Sequence, residues 1–177
     1  VVQWATGTVG IHAVPAIAAH PELELVGLWV HSDAKAGRDA GEICGGPALG
    51  VTATSDADAL LDLGADAVCY TASSDIRPDG VIDDLCRILA SGTNVVSTSF
   101  VPLLAPERLE AACQEGGTSF YTSGIDPGFG NAGLAIHVLA LSKEVRTVRM
   151  MEIVDYATWD NPFTMFEIMG FGKAEVS

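Results

Sequence analysis

Basic residues are scarce in this chain of 177 residues. Nine lysines and arginines face 23 aspartates and glutamates, so the formal net charge is −14 and the isoelectric point lies near 4.3. A chain of this charge is repelled by nucleic acids and by anionic membrane surfaces. We therefore expect neither as a partner. A local group of basic side chains is unusual in a chain of this composition.

Long apolar runs, repeats and paired cysteines are also lacking. The longest apolar run, 132–141, contains His137 and is far shorter than the roughly 20 residues that a membrane-spanning helix needs. No basic segment precedes an apolar stretch near the first residue, which is not typical of a secretory signal. The cysteines lack C-x-x-C spacing, so we expect reduced, mostly buried thiols, no metal site and a cytoplasmic location. They are Cys44, Cys69, Cys86 and Cys113.

The first ten residues, VVQWATGTVG, predict a short buried strand, a turn and a helix from about Thr8. The turn is the dinucleotide-binding pattern G-x-G-x-x-G with Ala5 in place of the first glycine. Gly7 would let the backbone approach a pyrophosphate, and Gly10 would let the helix pack closely on the strand. Amides at a helix start attract phosphate. The alternative is an ordinary glycine-rich turn. The predicted pyrophosphate-binding residues are Thr6, Gly7, Thr8, Val9 and Gly10.

Strands and helices then alternate along the chain. This alternation predicts an α/β fold, a Rossmann-type doubly wound parallel sheet with helices on both faces. The glycine-rich segment 41–50 is interpreted as a connector. The predicted strands are 23–30, 51–54, 67–72, 94–99 and 119–123. The predicted helices are 8–20 (with Pro15 inside), 56–63, 79–90, 106–114 and 132–141.

The end of the second strand bears on cofactor preference. An NAD site places an acidic residue about 20 residues after the glycines, to bind the ribose 2′-hydroxyl. Here two cations and a hydroxyl follow the strand, and they suit the 2′-phosphate of NADP because guanidinium binds phosphate bidentately. NADP is favoured, Asp33 keeps NAD possible, and a solvated loop is the alternative. The predicted residues are His31, Ser32, Lys35 and Arg38.

Ligands of doubly wound sheets lie beyond the carboxyl ends of the strands. Thr71, Ala72 and Ser99 stand at two such ends and are predicted to line the nicotinamide side. In the loop 124–131, GIDPGFGN, three glycines allow positive φ angles and Pro127 fixes its own φ. We expect it, with Phe129, to contact nicotinamide and substrate; a rigid linker is the alternative. His137 is predicted to be a packed core histidine.

The pattern changes after residue 142. Residues 145–156 alternate partly, as an antiparallel strand with one solvated face does, and 162–169 predict an amphipathic turn or helix. Its inward residues would be Phe163, Phe166 and Met169. We therefore expect a dinucleotide-binding domain over 1–142 and the beginning of an incomplete α+β substrate or dimerisation domain over 143–177. Both ends interrupt a pattern, so we expect the chain to be part of a longer protein.

Five segments carry a family resemblance. The chain resembles the dihydrodipicolinate reductase-like superfamily, and most closely its amine dehydrogenase branch, the 2,4-diaminopentanoate dehydrogenase-like proteins. The resemblance implies NAD(P)H-dependent imine reduction or amine oxidation of a small substrate by a homodimer or homotetramer. The segments are WATGTVG (4–10), HPELELVG (20–27), HSDAKAGRDAGEICG (31–45), GIDPGFGNAGLAIH (124–137) and MGFG (169–172).

Two departures from the family patterns leave alternatives open. The reductase proper carries a segment with His and Lys in its second domain, and nothing like it follows Glu152. A 4-hydroxy-tetrahydrodipicolinate reductase-like activity is therefore the alternative rather than the first expectation. The amine dehydrogenases carry a Glu just after the fifth strand, where residues 97–101 read STSFV. A non-catalytic NADPH-binding module is the second alternative.

The reaction implied by the resemblance is hydride transfer between nicotinamide and an imine or carbonyl carbon. Asp126 is the candidate for the carboxylate nearest the reacting nitrogen, because its loop would direct it into the cleft. The alternative is that Asp126 only stabilises the loop. Tyr156 is a weaker candidate for a proton donor or substrate contact.

Overall fold

The computed structural model describes residues 1–74, 77–99, 105–158 and 162–173. Six strands form one sheet in the order β3-β2-β1-β4-β5-β6, and every neighbouring pair is parallel. The predicted doubly wound sheet is therefore confirmed, and its order reverses between β1 and β4. The strands are β1 (Val2–Trp4), β2 (Gly27–Trp29), β3 (Ala53–Thr54), β4 (Ala67–Tyr70), β5 (Asn94–Ser97) and β6 (Phe120–Thr122).

The helices between the strands follow the predicted order, except that the segment 41–50, which was predicted to be a connector, begins with a short helix, α2 (Ala40–Ile43). In α4 (Pro78–Ala90) the apolar residues Val81, Leu85, Ile88 and Leu89 recur at helical spacing, and all four are buried. Asp56 caps α3 (Ala57–Leu61) by accepting a hydrogen bond from the Ala59 amide, as aspartate commonly does at the start of a helix. The helices are α1 (Gly10–Ala19), α2 (Ala40–Ile43), α3 (Ala57–Leu61), α4 (Pro78–Ala90), α5 (Pro106–Gly116) and α6 (Leu134–Leu139).

Two apolar clusters form the core. One joins β1, β4 and β5 to α3, α4 and α5 through residues such as Val68, Leu85 and Leu109. The other joins β2 and β3 to α1 and α2 through residues such as Leu28 and Val14. Because the two clusters draw on different helices, the sheet is packed with helices on both faces, as a doubly wound fold requires.

The strands are shorter than predicted, because a strand's ladder of hydrogen bonds extends only as far as the neighbouring strand does. β1 has three residues, and β2 pairs with it over Gly27–Trp29 rather than over 23–30.

Asp39 then organises the connector 41–50. Its carboxylate accepts hydrogen bonds from the amides of Leu49, Gly41 and Gly50, which hold the pKa of Asp39 below its ordinary value.

The last third of the chain departs most from the predictions. The helix predicted over 132–141 begins earlier, as a π-helix over Ile125–Gly133 that continues into α6. Residues 145–155 form no strand, because no other strand of the described ranges lies beside them to complete a ladder. His137 is exposed, since α6 has no buried residue, so its predicted core packing was wrong.

The segment 162–169 contains a π-helix over Phe163–Ile168, in agreement with a predicted helix. Two of its predicted inward residues are exposed: Phe166 by 53% and Met169 by 42%. The prediction that they point inward was therefore wrong, and Phe163 lies outside the described side chains. A short helix of this kind needs a second layer to cover its apolar face.

The four cysteines are free and half-buried rather than mostly buried. Burial raises the pKa of the Cys44, Cys69 and Cys86 thiols, which keeps them protonated near neutral pH. Across residues 1–74, 77–99, 105–158 and 162–173, no helix combines the length and apolar character of a membrane span. In the same ranges no group of His, Cys, Asp and Glu side chains is arranged as a metal site.

Candidate functional site

The turn after β1 has an unusual backbone. Ala5 adopts a positive φ of 77°, a region that costs a residue with a Cβ about 1–2 kcal/mol. Its amide donates to the Trp29 carbonyl at 3.0 Å, and its carbonyl accepts a hydrogen bond from Gln3 Nε2 at 2.9 Å. These bonds hold the conformation that glycine supplies at this place in the dinucleotide-binding pattern.

Gly10 is required by the packing of α1 against that turn. A Cβ on Gly10 would lie 2.1 Å from the Ala5 carbonyl oxygen and 2.9 Å from Thr71 Oγ1. Neither neighbour is a flexible side-chain end, so the helix start can approach β1 only because residue 10 is glycine. The predicted packing role of Gly10 therefore agrees with the geometry.

Gly7 has the opposite surroundings. A Cβ built on Gly7 would meet no atom within 4 Å, so the turn is open on this side. The amides of Thr8 and Val9 donate no hydrogen bond to a described backbone or side-chain group. Unpaired amides at the positive end of a helix attract anions. The turn thus presents donors to an open space, which is what a phosphate requires.

A cavity of about 320 Å³ opens beside the turn, at the edge where the sheet order reverses. Ligands of doubly wound sheets bind at this place. Its walls come from the ends of β1, β2 and β4 and from the first turns of α4. The described lining residues are Ala5, Gly7, Trp29, His31, Tyr70, Thr71, Ala72, Ser73, Arg77, Val81 and Asp84.

Four predicted cofactor residues, Gly7, His31, Thr71 and Ala72, line this cavity. The Thr71 hydroxyl already makes hydrogen bonds within the protein. It accepts one from Gln3 Nε2 at 2.8 Å and lies 3.1 Å from the Trp4 carbonyl oxygen. The ring of His31 lies 6.2 Å from that of Trp29. The structure therefore brings the ends of three strands together around one space.

Lys35 reaches the turn itself. Its Nζ donates to the Thr6 carbonyl at 3.1 Å and to Thr6 Oγ1 at 3.0 Å. A lysine predicted to bind the 2′-phosphate thus also ties the loop after β2 to the turn after β1. Ser32 and Arg38, the other predicted phosphate residues, are exposed and are not among the cavity's described lining residues.

Four further predicted residues, Ser99, Phe129, Asp126 and Tyr156, are not among the described lining residues of this cavity. Ser99 is buried, and its amide donates to Ser97 Oγ at 2.9 Å. Phe129 is exposed on the π-helix. The backbone of Asp126 belongs to that helix, and its side chain is outside the described part. The Tyr156 ring contacts the ring of Phe171 at 5.4 Å.

Sequence reasoning missed the wall formed by α4. Arg77, Val81 and Asp84 are spaced four and three residues apart, so they share one face of the helix. That spacing is visible in the sequence, but it does not indicate which face meets a ligand. Trp29 and Tyr70 were also missed, because buried aromatic residues at strand ends usually indicate core. Both stack on Trp4, with ring centroids 5.0 Å and 6.2 Å apart.

Two known enzymes are similar to this chain in sequence. An amine dehydrogenase of Streptomyces virginiae is 42% identical over 181 residues, which cover 97% of this chain and 50% of that enzyme. A 4-hydroxy-tetrahydrodipicolinate reductase of Synechocystis sp. is 32% identical over 97 residues, which cover 54% of this chain and 35% of the reductase. The chain thus spans about half the length of the amine dehydrogenase. No family model matches the chain.

Solved structures of other proteins superpose on this chain. The amine dehydrogenase from Mycobacterium smegmatis superposes with a TM-score of 0.68 at 23% identity, over 81% of this chain and 44% of that one. The biliverdin reductase from Synechocystis sp., solved with biliverdin and NADP⁺, superposes with a TM-score of 0.56 at 18% identity. The match covers 71% of this chain and 37% of the reductase. The predicted resemblance to amine dehydrogenases and the predicted Rossmann-type fold are confirmed.

Proposed function

We propose that this chain is the dinucleotide-binding part of an NAD(P)H-dependent oxidoreductase that acts on a C–N bond of a small amine, imine or carbonyl substrate. The observation that carries the proposal is the open turn at the start of α1, where the Thr8 and Val9 amides have no described acceptor and lie beside a cavity at the sheet's reversal point. The 42% identity to an amine dehydrogenase supports the reaction class.

The residues present fit a dinucleotide. Thr6, Gly7, Thr8, Val9 and Gly10 would hold the pyrophosphate, because the space over Gly7 is empty and the Thr8 and Val9 amides meet no acceptor among the described groups. When bound, the nicotinamide would give a hydride to an imine carbon or take one from an amine carbon. The protein would orient the ring with Thr71, Ala72, Ser99 and Phe129 and exclude water from it.

Two assays test this proposal. Titration of NADPH into the chain should enhance the coenzyme's fluorescence and quench that of Trp29, which lines the cavity. The whole protein should then consume NADPH in the presence of a ketone and ammonia, and form it from an amine and NADP⁺. Binding without turnover would instead favour the non-catalytic module. Turnover of 4-hydroxy-tetrahydrodipicolinate would favour the reductase-like alternative, since 54% of the chain aligns with such a reductase.

We expect Lys35→Ala with Arg38→Ala to lower NADPH affinity about tenfold more than NADH affinity, because a charge-assisted hydrogen bond to the 2′-phosphate contributes about 1.5–3 kcal/mol. Isothermal titration with both coenzymes measures the difference. Because Lys35 also holds Thr6, its loss should weaken both coenzymes to some degree. Arg38→Ala alone is the matched variant, since it leaves that contact intact. Equal NADPH and NADH affinities in the parent and in the variants would refute the assignment.

Asp126 remains the proposed carboxylate at the reacting nitrogen, with Tyr156 as a weaker candidate. We expect Asp126→Ala in the whole protein to lower kcat about 10²–10⁴-fold, as the loss of a positioned acid or base does. The Kd for NADPH should not change, because Asp126 would meet the substrate and not the coenzyme. Steady-state rates together with coenzyme titration separate these effects. Turnover at the parental rate would remove Asp126 from the mechanism.

The finer organisation is part of the same proposal. The dinucleotide-binding domain would occupy 1–142, and 143–177 would begin a substrate or dimerisation domain. The whole protein would be a cytoplasmic homodimer or homotetramer. The exposed apolar residues of the last third, such as Ile153 and Met151, support this division, since a second domain or subunit would cover them. Light scattering of the whole protein tests the oligomeric state.

A further inference from the structure

The side chain of Arg77 lies folded across the first turn of α4. A Cβ built on Gly80 would lie 2.9 Å from both Arg77 Nε and Arg77 Nη2, so the guanidinium rests directly over the glycine. From there Nη2 donates to Asp84 Oδ2 at 2.9 Å. Gly80 therefore leaves the space through which the guanidinium reaches a carboxylate seven residues further along the helix.

The same carboxylate also contacts the sheet. Tyr70, the last residue of β4, donates its hydroxyl to Asp84 Oδ2 at 3.3 Å. Tyr70 is fully buried, and burial together with the nearby Asp84 raises the pKa of its phenol, so it remains a donor. Asp84 thus connects the helix to the strand end, and this connection sets the position of Arg77 relative to the cavity.

The cavity wall carrying Arg77 suits a planar aromatic group. Trp29 and Val81 contribute apolar surface, and Arg77 is the one lysine or arginine among the described lining residues. Its side chain is 53% exposed, so part of the guanidinium is free to meet a ligand. A guanidinium is planar, keeps its charge and stacks on aromatic faces.

We propose that Arg77 binds the adenine base of the dinucleotide by stacking its guanidinium on the ring, and that Gly80 and Asp84 are positioning residues for Arg77. The inference rests on the proposed function and deepens it. Because the pyrophosphate would lie at the turn after β1 and the ribose near the end of β2, the base would reach the part of the cavity between Trp29 and α4. Lys35 and Arg38 would meet the 2′-phosphate instead.

Gly80→Ala is the sharpest test. The added methyl group would displace the flexible guanidinium, while the backbone stays and alanine favours the helix over glycine. We expect the Kd values for NADPH and NADH to rise by a similar factor, about five- to tenfold as for the loss of a cation–π contact, and the Tm to stay level or rise. A merely structural role for Gly80 would not weaken coenzyme binding in a protein of equal or higher stability.

Asp84→Asn should weaken binding in the same way, and Asp83→Asn is its matched control. Asp83 pairs with Arg108 on α5 and is not among the cavity's described lining residues, so its loss should leave both Kd values unchanged. Titrations with AMP and with reduced nicotinamide mononucleotide, the two halves of the coenzyme, show which half loses affinity. Affinity for AMP should fall in Gly80→Ala and Asp84→Asn, and affinity for the mononucleotide should not.

Three results would overturn the inference. Unchanged dinucleotide affinity in both Gly80→Ala and Asp84→Asn would show that Arg77 does not bind the base. A loss confined to NADPH would assign Arg77 to the 2′-phosphate. A loss of mononucleotide affinity equal to that of AMP would show a general disturbance. These outcomes require a parent chain that binds NADPH; a parent that binds neither coenzyme would refute the proposed function itself.

Discussion

Gly10→Ala is expected to destabilise the protein by about 3 kcal/mol and to abolish NADPH binding. The added Cβ would lie 2.1 Å from the Ala5 carbonyl oxygen and 2.9 Å from the Ala5 carbonyl carbon. Ala5 cannot retreat easily, because its amide is bonded to Trp29 and its carbonyl to Gln3. The start of α1 must therefore move away from β1, and its amides move with it. Urea unfolding and NADPH titration measure the two effects.

Gly7→Ala is the control in the same turn. No atom lies within 4 Å of the position that its Cβ would take, so the free energy of unfolding should change little. NADPH affinity should still fall, because the methyl group would occupy the space proposed for the pyrophosphate. If Gly10→Ala kept the parental stability, the contact between α1 and β1 would be looser than the geometry indicates. If Gly7→Ala kept the parental affinity, the pyrophosphate would lie elsewhere.

Gly116→Ala is expected to destabilise the protein by a similar amount, about 3 kcal/mol, without weakening NADPH binding to the folded protein. A Cβ on Gly116 would lie 1.9 Å from the Leu89 carbonyl oxygen. That carbonyl is held in place by a hydrogen bond from Thr118 Oγ1 at 3.0 Å. Helices α4 and α5 would have to separate at this point. Urea unfolding measures the loss of stability.

The position of Gly116 makes it the counterpart of Gly10. Leu89 is at the end of α4, directly before β5, so the clash lies at the edge of the sheet opposite the cavity. NADPH titration at low temperature, where the variant is folded, should therefore give the parental Kd. A loss of affinity as large as that of Gly10→Ala would mean that coenzyme binding depends on overall packing and not on the turn.

The local patterns of the sequence predicted most of the first 123 residues. Apolar strands alternating with helices predicted the parallel sheet, and the helix predicted over 79–90 matches α4. The glycine pattern located the turn and the role of Gly10. These features depend on residues close together in the chain, so the sequence expresses them directly.

The predictions were wrong where a segment depends on a distant partner. Residues 145–155 alternate like a strand, yet a strand needs a neighbour, and none lies beside them in the described ranges. His137 follows an apolar helical pattern but is exposed, and the described part of the chain buries no residue of α6. The pattern of a segment indicates which surface it could bury, and only the other elements determine whether that surface is covered.

The sequence by itself determined the fold class, the turn at the start of α1 and the basic residues after β2. Only the tertiary structure decided how the candidate site is built. It directed Lys35 to Thr6 and placed Arg77 over Gly80 beside Asp84. The physical reason is that the cavity forms where three strand ends and a helix meet, and the three strand ends are separated by dozens of residues in the chain. Their distances follow from the packing of the two cores and from no local pattern.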